Sequence, residues 1–443
     1  MSASPQSQLL RVLGLAFSVA VVVGGIVGSG ILRAPGLIAQ GFPDPWLMLA
    51  VWALGGVFVA LDAMPTVELG AAIPNAGGPY ALAMRAFGPL IGFLAGWADW
   101  LQNAASTGFI AVVFAEFVHR LGLASAWPTG LIAALLVAAC GVINWIGTRT
   151  SGASQTLGSG LKGIGLIVLI ALLWIAPRGT APPPSAPPPA MSWALAVAAL
   201  RALYSTFGGW HAPVYFSEEI SEPHRNLARA VFGGIGLVTL VYLGVNAALL
   251  HVLPIQAIAG SKLAVADAAR VAIGPAADTL VTVVSIVSVA TICNLQVMAQ
   301  TRITYAMARD GLFPPGLARV AKGGTPRLSL LLTLVFCLAF AGTGIYALLL
   351  AIYTPLAMVT FLLLGWGAIR LRRREPELPR PWRMPLYPLP VILSLAANFA
   401  LLVATVVEDP AHSAWSLVLL VLPLPLYAYG ARRWRGSGLK QAL

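Results

Sequence analysis

Residues 21–32 read VVVGGIVGSGIL. Four glycines and one serine interrupt a run that is otherwise apolar enough to cross a bilayer. Glycine costs about 1 kcal/mol relative to alanine in a helix interior. Placed mid-span, Gly28-Ser29-Gly30 predicts a membrane helix that crosses in two halves. A second apolar stretch, 192–220, is interrupted the same way at Phe207-Gly208-Gly209-Trp210.

The surrounding chain sets the context. It has 443 residues, 58% of them hydrophobic and only 9% charged, against about a quarter charged in an ordinary soluble domain. A helix needs about 20 apolar residues to cross the hydrocarbon core. Such runs recur at 11–40, 46–72, 89–118, 128–147, 154–176, 192–220, 227–253, 274–308, 326–344, 345–371, 387–407 and 412–431. Backbone polar groups cannot be left bare in lipid, so these runs are expected to be helices. The short alternating segments of a membrane β-barrel do not occur. The first run lacks a basic n-region and a small-residue cleavage site, so it is expected to be retained as a span.

The net charge of +12 could suggest nucleic acid. Its placement argues otherwise. With the N-terminus inside, twenty of the 27 Lys and Arg fall on one side, including Arg85, Arg149, Arg302, Arg309 and Arg372–Arg374. This is the positive-inside asymmetry, and it predicts both termini in the cytoplasm. Cys140, Cys293 and Cys337 all fall inside predicted spans, so no disulfide framework or metal-ligand spacing is expected. The proline-rich stretch 178–190 reads as a stiff external connector. The loop 371–388 carries charges expected to form a solvated face.

The broken spans are the first and the sixth, five apart. An odd number of spans per repeat would place the second repeat upside down relative to the first. Glycine-interrupted helices at corresponding positions point to a transporter's binding site. A break frees amides at the start of one half-helix, which suit a carboxylate, and carbonyls at the end of the other, which suit an ammonium. Two crossed breaks can hold a zwitterion without any charged side chain. Gly24 and Gly25 read instead as close-packing positions, since Gly24 and Gly28 have small-xxx-small spacing.

Several longer motifs resemble the amino acid–polyamine–organocation superfamily, most closely the L-type amino acid transporter group and its bacterial relatives. They are GSGILRAPG at 28–36, IPNAGGPY at 73–80 after Glu68-Leu69-Gly70, FGGWHAPVYFSEEISEPHRNLARA at 207–230, TRITYAMARDGLFP at 301–314, TPRLSL at 325–330 and LRRREPELPRPWRMPLYP at 371–388. They occur in family order over nearly the whole chain. The resemblance implies an all-α membrane protein of twelve transmembrane helices. Ten would form a five-plus-five inverted repeat of the leucine-transporter type, with helices 1 and 6 discontinuous and two helices added. The implied units are 1–176, the connector 177–191, 192–371, and 372–443.

The resemblance also implies a site. Amides near Gly28, Ser29 and Gly30 would take a carboxylate. Carbonyls near Ile26, and from Phe207 and Gly208, would take an ammonium, with Gly209 beside them in the substrate site. Helices 3 and 8 would supply Gln102, Asn103 and Ser288 to the side-chain pocket, or these three bond neighbouring helices. Relatives usually carry a bulky aromatic gate four residues before the second glycine of the helix 6 break. Here that position is Ser205, a smaller gate that implies a roomier pocket, or else Tyr204 or Phe207 covers the substrate instead. Lys162 matches a lysine of the group that sits where sodium-coupled relatives bind an ion. It is expected to bond carbonyls of helix 1, or else to snorkel to the interface. It could also carry a coupling proton.

Other charges have plainer readings. Glu68 is expected to serve structure, and Asp99 to pair with a neighbour or meet a cationic side chain. His211 reads as a polar helix partner, and Glu218 and Glu219 as ion-pairing with Arg225 and Arg229. No role is assigned to Asp62.

The leading expectation is a secondary transporter of neutral L-amino acids in a bacterial cytoplasmic membrane, working by sodium-independent exchange and alternating access. No cofactor and no nucleic acid are expected. The chain has no external cysteine for a disulfide-linked accessory subunit. Proton symport of cationic or broad substrates is the alternative, and a non-transporting amino-acid sensor is a further one. No GxxxxGK[ST] phosphate loop occurs, so ATP would not drive transport directly. A membrane enzyme would need clustered His, Asp, Glu or Cys, whereas the five histidines are scattered.

Overall fold

The computed structural model of the chain describes residues 14–176, 192–220 and 222–433. The proline-rich connector and the basic termini lie outside the described residues. Helices account for the regular structure, and no strand occurs among the described residues.

The first span is two helices, α1 (Leu15–Ile26) and α2 (Ser29–Gly41), separated at Val27 and Gly28. Then come α3 (Pro45–Ala72), a short α4 (Pro79–Phe87), α5 (Pro89–Arg120), α6 (Thr129–Ile146) and α7 (Thr148–Ile175). The sixth span is also broken, into α8 (Trp193–Thr206) and α9 (Ala212–Tyr215). The remainder is α10 (Pro223–Val252), α11 (Ile255–Ala259), α12 (Ala264–Ile273), α13 (Pro275–Arg309), α14 (Arg327–Gly342), α15 (Tyr346–Arg374), α16 (Leu389–Glu408), α17 (Pro410–Val421) and α18 (Leu424–Arg433).

Local sequence explains where these helices begin. Pro at the first helical position gives up an amide that would be unpaired anyway. Pro45, Pro89 and Pro275 open α3, α5 and α13 in this way. Asp44 caps α3 by accepting from Leu47 N at 2.8 Å, and Ser192 caps α8 by accepting from Leu195 N at 3.2 Å.

Among the described residues, ten segments are long and apolar enough to cross a membrane. Two of the expected spans fall short of that test among the described residues. The run expected at 326–344 is the 16-residue α14, and 192–220 is divided by its break. Large apolar side chains face outward along the spans, as at Leu54, Leu240, Val335 and Phe399. Charged groups lie inside, among them Asp62, Asp99, Lys162, Glu219 and Arg302. In a soluble protein this arrangement would be inverted. With this many apolar spans, the chain is an integral multi-pass membrane protein.

α5 runs through the middle of the bundle, packed on α4, α6, α13, α14 and α15. The two broken helices lie side by side, with α2 along α8 and α1 touching α9, and α7 and α10 back them from behind.

Candidate functional site

The two breaks meet backbone to backbone. A Cβ built on Gly209 would lie 2.6 Å from the Gly25 carbonyl oxygen, and one on Gly25 would lie 2.8 Å from the Gly209 oxygen. Gly209 has φ +97°, a conformation open mainly to glycine. Gly30 packs on Thr206, where an added Cβ would be 2.7 Å from Thr206 Cα. Gly24 presses instead on Gln155 and Ser159 of α7. Close packing thus holds for Gly24, while Gly25 belongs to the crossing itself.

The crossing leaves backbone groups free. α2 begins without a side-chain cap, so its first amides have no helical partner. The carbonyls of Phe207 and Gly208 accept no backbone hydrogen bond among the described residues. Between these groups lies a cavity of about 30 Å³. That can hold water but is far below the volume of a small-molecule site, so an amino acid enters only if the helices around it part.

Gly28 and Gly30, Gly208 and Gly209, and Gln102 and Asn103 all border this cavity, as Ile26 and Ser205 do. The side chain of Ser29 is not described, and its backbone opens α2. Ser288 is buried on α13 but does not reach the cavity. One turn and two turns further along, Ile292 and Gln296 take that wall. Phe207 and Tyr204 turn away from it as well. Tyr204 packs on Phe58 at 6.1 Å between ring centroids, and Phe207 on Trp52 and Tyr242 at 6.0 and 5.1 Å. The helix continues through Thr206, so Ser205 faces inward while its neighbour Tyr204 faces α3. In this conformation neither aromatic covers the cavity.

Ser106, Phe109, Ile110 and Tyr353 also line the cavity, with no expectation from the sequence. Ser106, Phe109 and Ile110 extend the Gln102 face of α5 at helical spacing, a signal that periodicity contains. Tyr353 of α15 approaches Gly208, its hydroxyl 2.9 Å from where a Cβ would stand. His211, expected as a polar partner of a neighbouring helix, lines the cavity instead, and its buried Nδ1 has no hydrogen-bond partner among the described residues. No Lys, Arg, Asp or Glu is among the lining residues.

Two side chains secure the end of α1. Lys162 is buried, 1% exposed. Its Nζ donates to Gly24 O and, at 2.7 Å, to Val27 O. These carbonyls close α1, where the helix dipole favours a cation. Tyr242 of α10 donates to Ile26 O at 2.7 Å and lies 3.2 Å from Thr206 O. It bridges the two breaks and occupies one lone pair of the Ile26 carbonyl. An aromatic in an apolar helix gives no sequence signal for that task.

Below the cavity, one oxygen of Asp99 accepts from Gln102 at 2.7 Å, Tyr215 at 2.8 Å and Asn103 at 3.2 Å. Asp99 therefore pairs with neighbours and positions the two amides that face the cavity. It also ties α5 to α9 through Tyr215. Asp62 accepts from Ser394 at 2.7 Å and Asn398 at 2.9 Å, joining α3 to α16.

The ion pairs differ from those expected. Glu219 pairs with Arg302 at 2.9 Å with both side chains buried, and Glu218 with Arg309 at 2.8 Å. Arg225 and Arg229 are exposed. The true partners lie 83 and 91 residues away on α13, beyond the reach of local sequence reasoning. Arg309 also bonds Asn75, and Ala76 N donates to Glu218 at 2.9 Å. The 371–388 loop is only partly solvated. Arg372 bonds Glu68 with contacts of 2.7 and 2.5 Å, Arg380 lies 3.5 Å from it, and Met384 N donates to it at 2.7 Å.

A bundle with two broken, touching helices and a polar cavity at their crossing defines a membrane permease built around unwound backbone. The chain belongs to the amino acid permease family, whose model matches residues 13–425. It is 28% identical to the serine/threonine exchanger SteT of Bacillus subtilis (strain 168), over 97% of this chain and 98% of that protein. It is also 28% identical to the large neutral amino acids transporter small subunit 2 of Homo sapiens, over 95% of this chain and 81% of the relative. For the b(0,+)-type amino acid transporter 1 of Mus musculus the identity is 26%, over 94% and 87%. The family and these relatives are transporters, not enzymes.

Proposed function

We propose that this permease exchanges small neutral L-amino acids across a bacterial cytoplasmic membrane, without sodium, by alternating access. The substrate carboxylate meets the uncapped amides of Gly28, Ser29 and Gly30. Its ammonium meets the carbonyls of Phe207 and Gly208, with Ile26 O as a shared acceptor. One observation carries this reading: unpaired amides and unpaired carbonyls border a single cavity that no charged side chain lines. A cationic or anionic substrate side chain would enter that cavity without a counter-charge. Gln102, Asn103, Ser106 and Gln296 supply amides and a hydroxyl for a small polar side chain. The serine/threonine exchanger among the relatives agrees with this choice.

In this reading the chain has twelve spans, both termini in the cytoplasm, and two inverted repeats over 1–176 and 192–371. The region 372–443 is added to the repeats, and no disulfide-linked subunit is needed. Lys162 takes the place of a sodium ion by holding the Gly24 and Val27 carbonyls. The Glu219–Arg302 pair closes the cytoplasmic side.

A fully buried lysine also favours a second reading, proton symport, with Lys162 as the proton carrier. Uptake of radiolabelled serine into proteoliposomes, with and without internal amino acid and at two pH values, separates them. Exchange predicts uptake that depends on internal amino acid. Symport predicts uptake into empty vesicles that follows the pH gradient.

A further inference from the structure

A second cavity, about 380 Å³, lies between α3, α8 and α16, on the far side of α8 from the central one. Its wall is almost wholly apolar. Ala397, Ala400 and Ala404 hollow out the α16 side, and Leu203, Tyr204 and Phe207 form the α8 side. Its rim is exposed to the surroundings at Leu54 and Trp193, each 64% exposed. In a membrane-spanning bundle an apolar recess at such a rim faces lipid, since water gains nothing there.

Arg201 flanks this recess on α8, one turn from Val197 and from Tyr204. It donates no hydrogen bond among the described residues, and its Nε is buried without a partner. Asp409 and Glu408, at the end of α16, are its charged neighbours, but neither is within ion-pair distance. An arginine on a membrane helix reaches toward the headgroup layer and seeks an anion there. A basic side chain beside an intramembrane recess offers an anionic lipid headgroup a counter-charge.

We propose that this recess is a phospholipid site, with one acyl chain in the α3/α8/α16 cavity and the phosphodiester on Arg201. The chain packs on Tyr204 and Phe207, the residues that carry α8 into its break. A lipid there touches the moving helix from behind.

The probe is phosphatidylglycerol with a diazirine in the acyl chain, photolysed on the purified protein in nanodiscs and mapped by mass spectrometry. Labelling is expected to concentrate in 193–207 and 397–404 above the level of α6, which also faces outward at Leu131, Leu135 and Val142. Ala400→Phe fills the recess and is expected to remove that excess. Arg201→Gln leaves packing intact and is expected to lower phosphatidylglycerol retention in native mass spectra about tenfold, the loss of one charge-assisted bond. Unlabelled phosphatidylglycerol should compete better than diacylglycerol, which lacks the phosphate. Labelling no denser than on α6 would overturn the site, whether or not Ala400→Phe folds. Retention unchanged in Arg201→Gln would overturn the phosphate contact.

Discussion

Replacing Lys162 with methionine keeps the bulk of the side chain inside the bundle and deletes its charge. The ammonium holds two carbonyls at the end of α1, Gly24 O and Val27 O. A hydrogen bond to a charged group contributes about 1.5–3 kcal/mol net, so the pair is worth about 3–6 kcal/mol to the broken geometry. Each 1.4 kcal/mol is a factor of ten, so a loss at the low end already costs about a hundredfold. Serine exchange in proteoliposomes is therefore expected to fall at least about a hundredfold in Lys162→Met. Lys162→Ala should fall as far or further, because it adds a cavity. Size-exclusion profiles and thermal unfolding in detergent check that both variants are folded. Wild-type exchange by Lys162→Met would refute the reasoning, because the group it removes is the ammonium that holds Gly24 O and Val27 O.

Further outcomes follow from the same geometry. Tyr242→Phe removes the hydroxyl bridging Ile26 and Thr206, one bond worth about 1 kcal/mol, so exchange should slow about fivefold in an intact protein, measured as maximal exchange rate. Gly209→Ala places a Cβ 2.6 Å from a backbone oxygen at φ +97°. Neither group can yield, so transport should be abolished while Gly233→Ala, in open space, stays near wild type. Arg302→Met leaves Glu219 buried and unpaired, a loss of about 3–5 kcal/mol. It should lower the unfolding temperature and raise the reactivity of a cysteine placed at Thr148, which accepts from Arg302 at 3.1 Å, toward a membrane-impermeant thiol reagent.

The sequence makes the backbone of this account readable because glycine and serine are costly in a spanning helix. Gly28-Ser29-Gly30 and Gly208-Gly209 could be placed without coordinates, and both segments are broken where they stand. Spans set by hydropathy were equally legible, although α14 is shorter than its apolar run. What escaped was direction and partnership. Tyr204 and Ser205 are adjacent, and only the helix's rotation decides which faces the cavity. Tyr242 and Tyr353 look like packing aromatics, and the hydroxyl bond of one and the place of the other at the cavity depend on tertiary placement. Glu219 lies close to Arg225 and Arg229 in sequence, yet it pairs with Arg302 on α13. Spacing left Lys162 open between snorkelling and bonding helix 1, and in the structure it is buried against the Gly24 and Val27 carbonyls.

Counterflow of radiolabelled serine in proteoliposomes, challenged with serine methyl ester and N-acetylserine, tests the grip of unwound backbone on a zwitterion. Loss of competition by both analogues, with free serine still competing, is the predicted result. Undiminished competition by either one would contradict it, since that end of the substrate would then need no partner at the breaks.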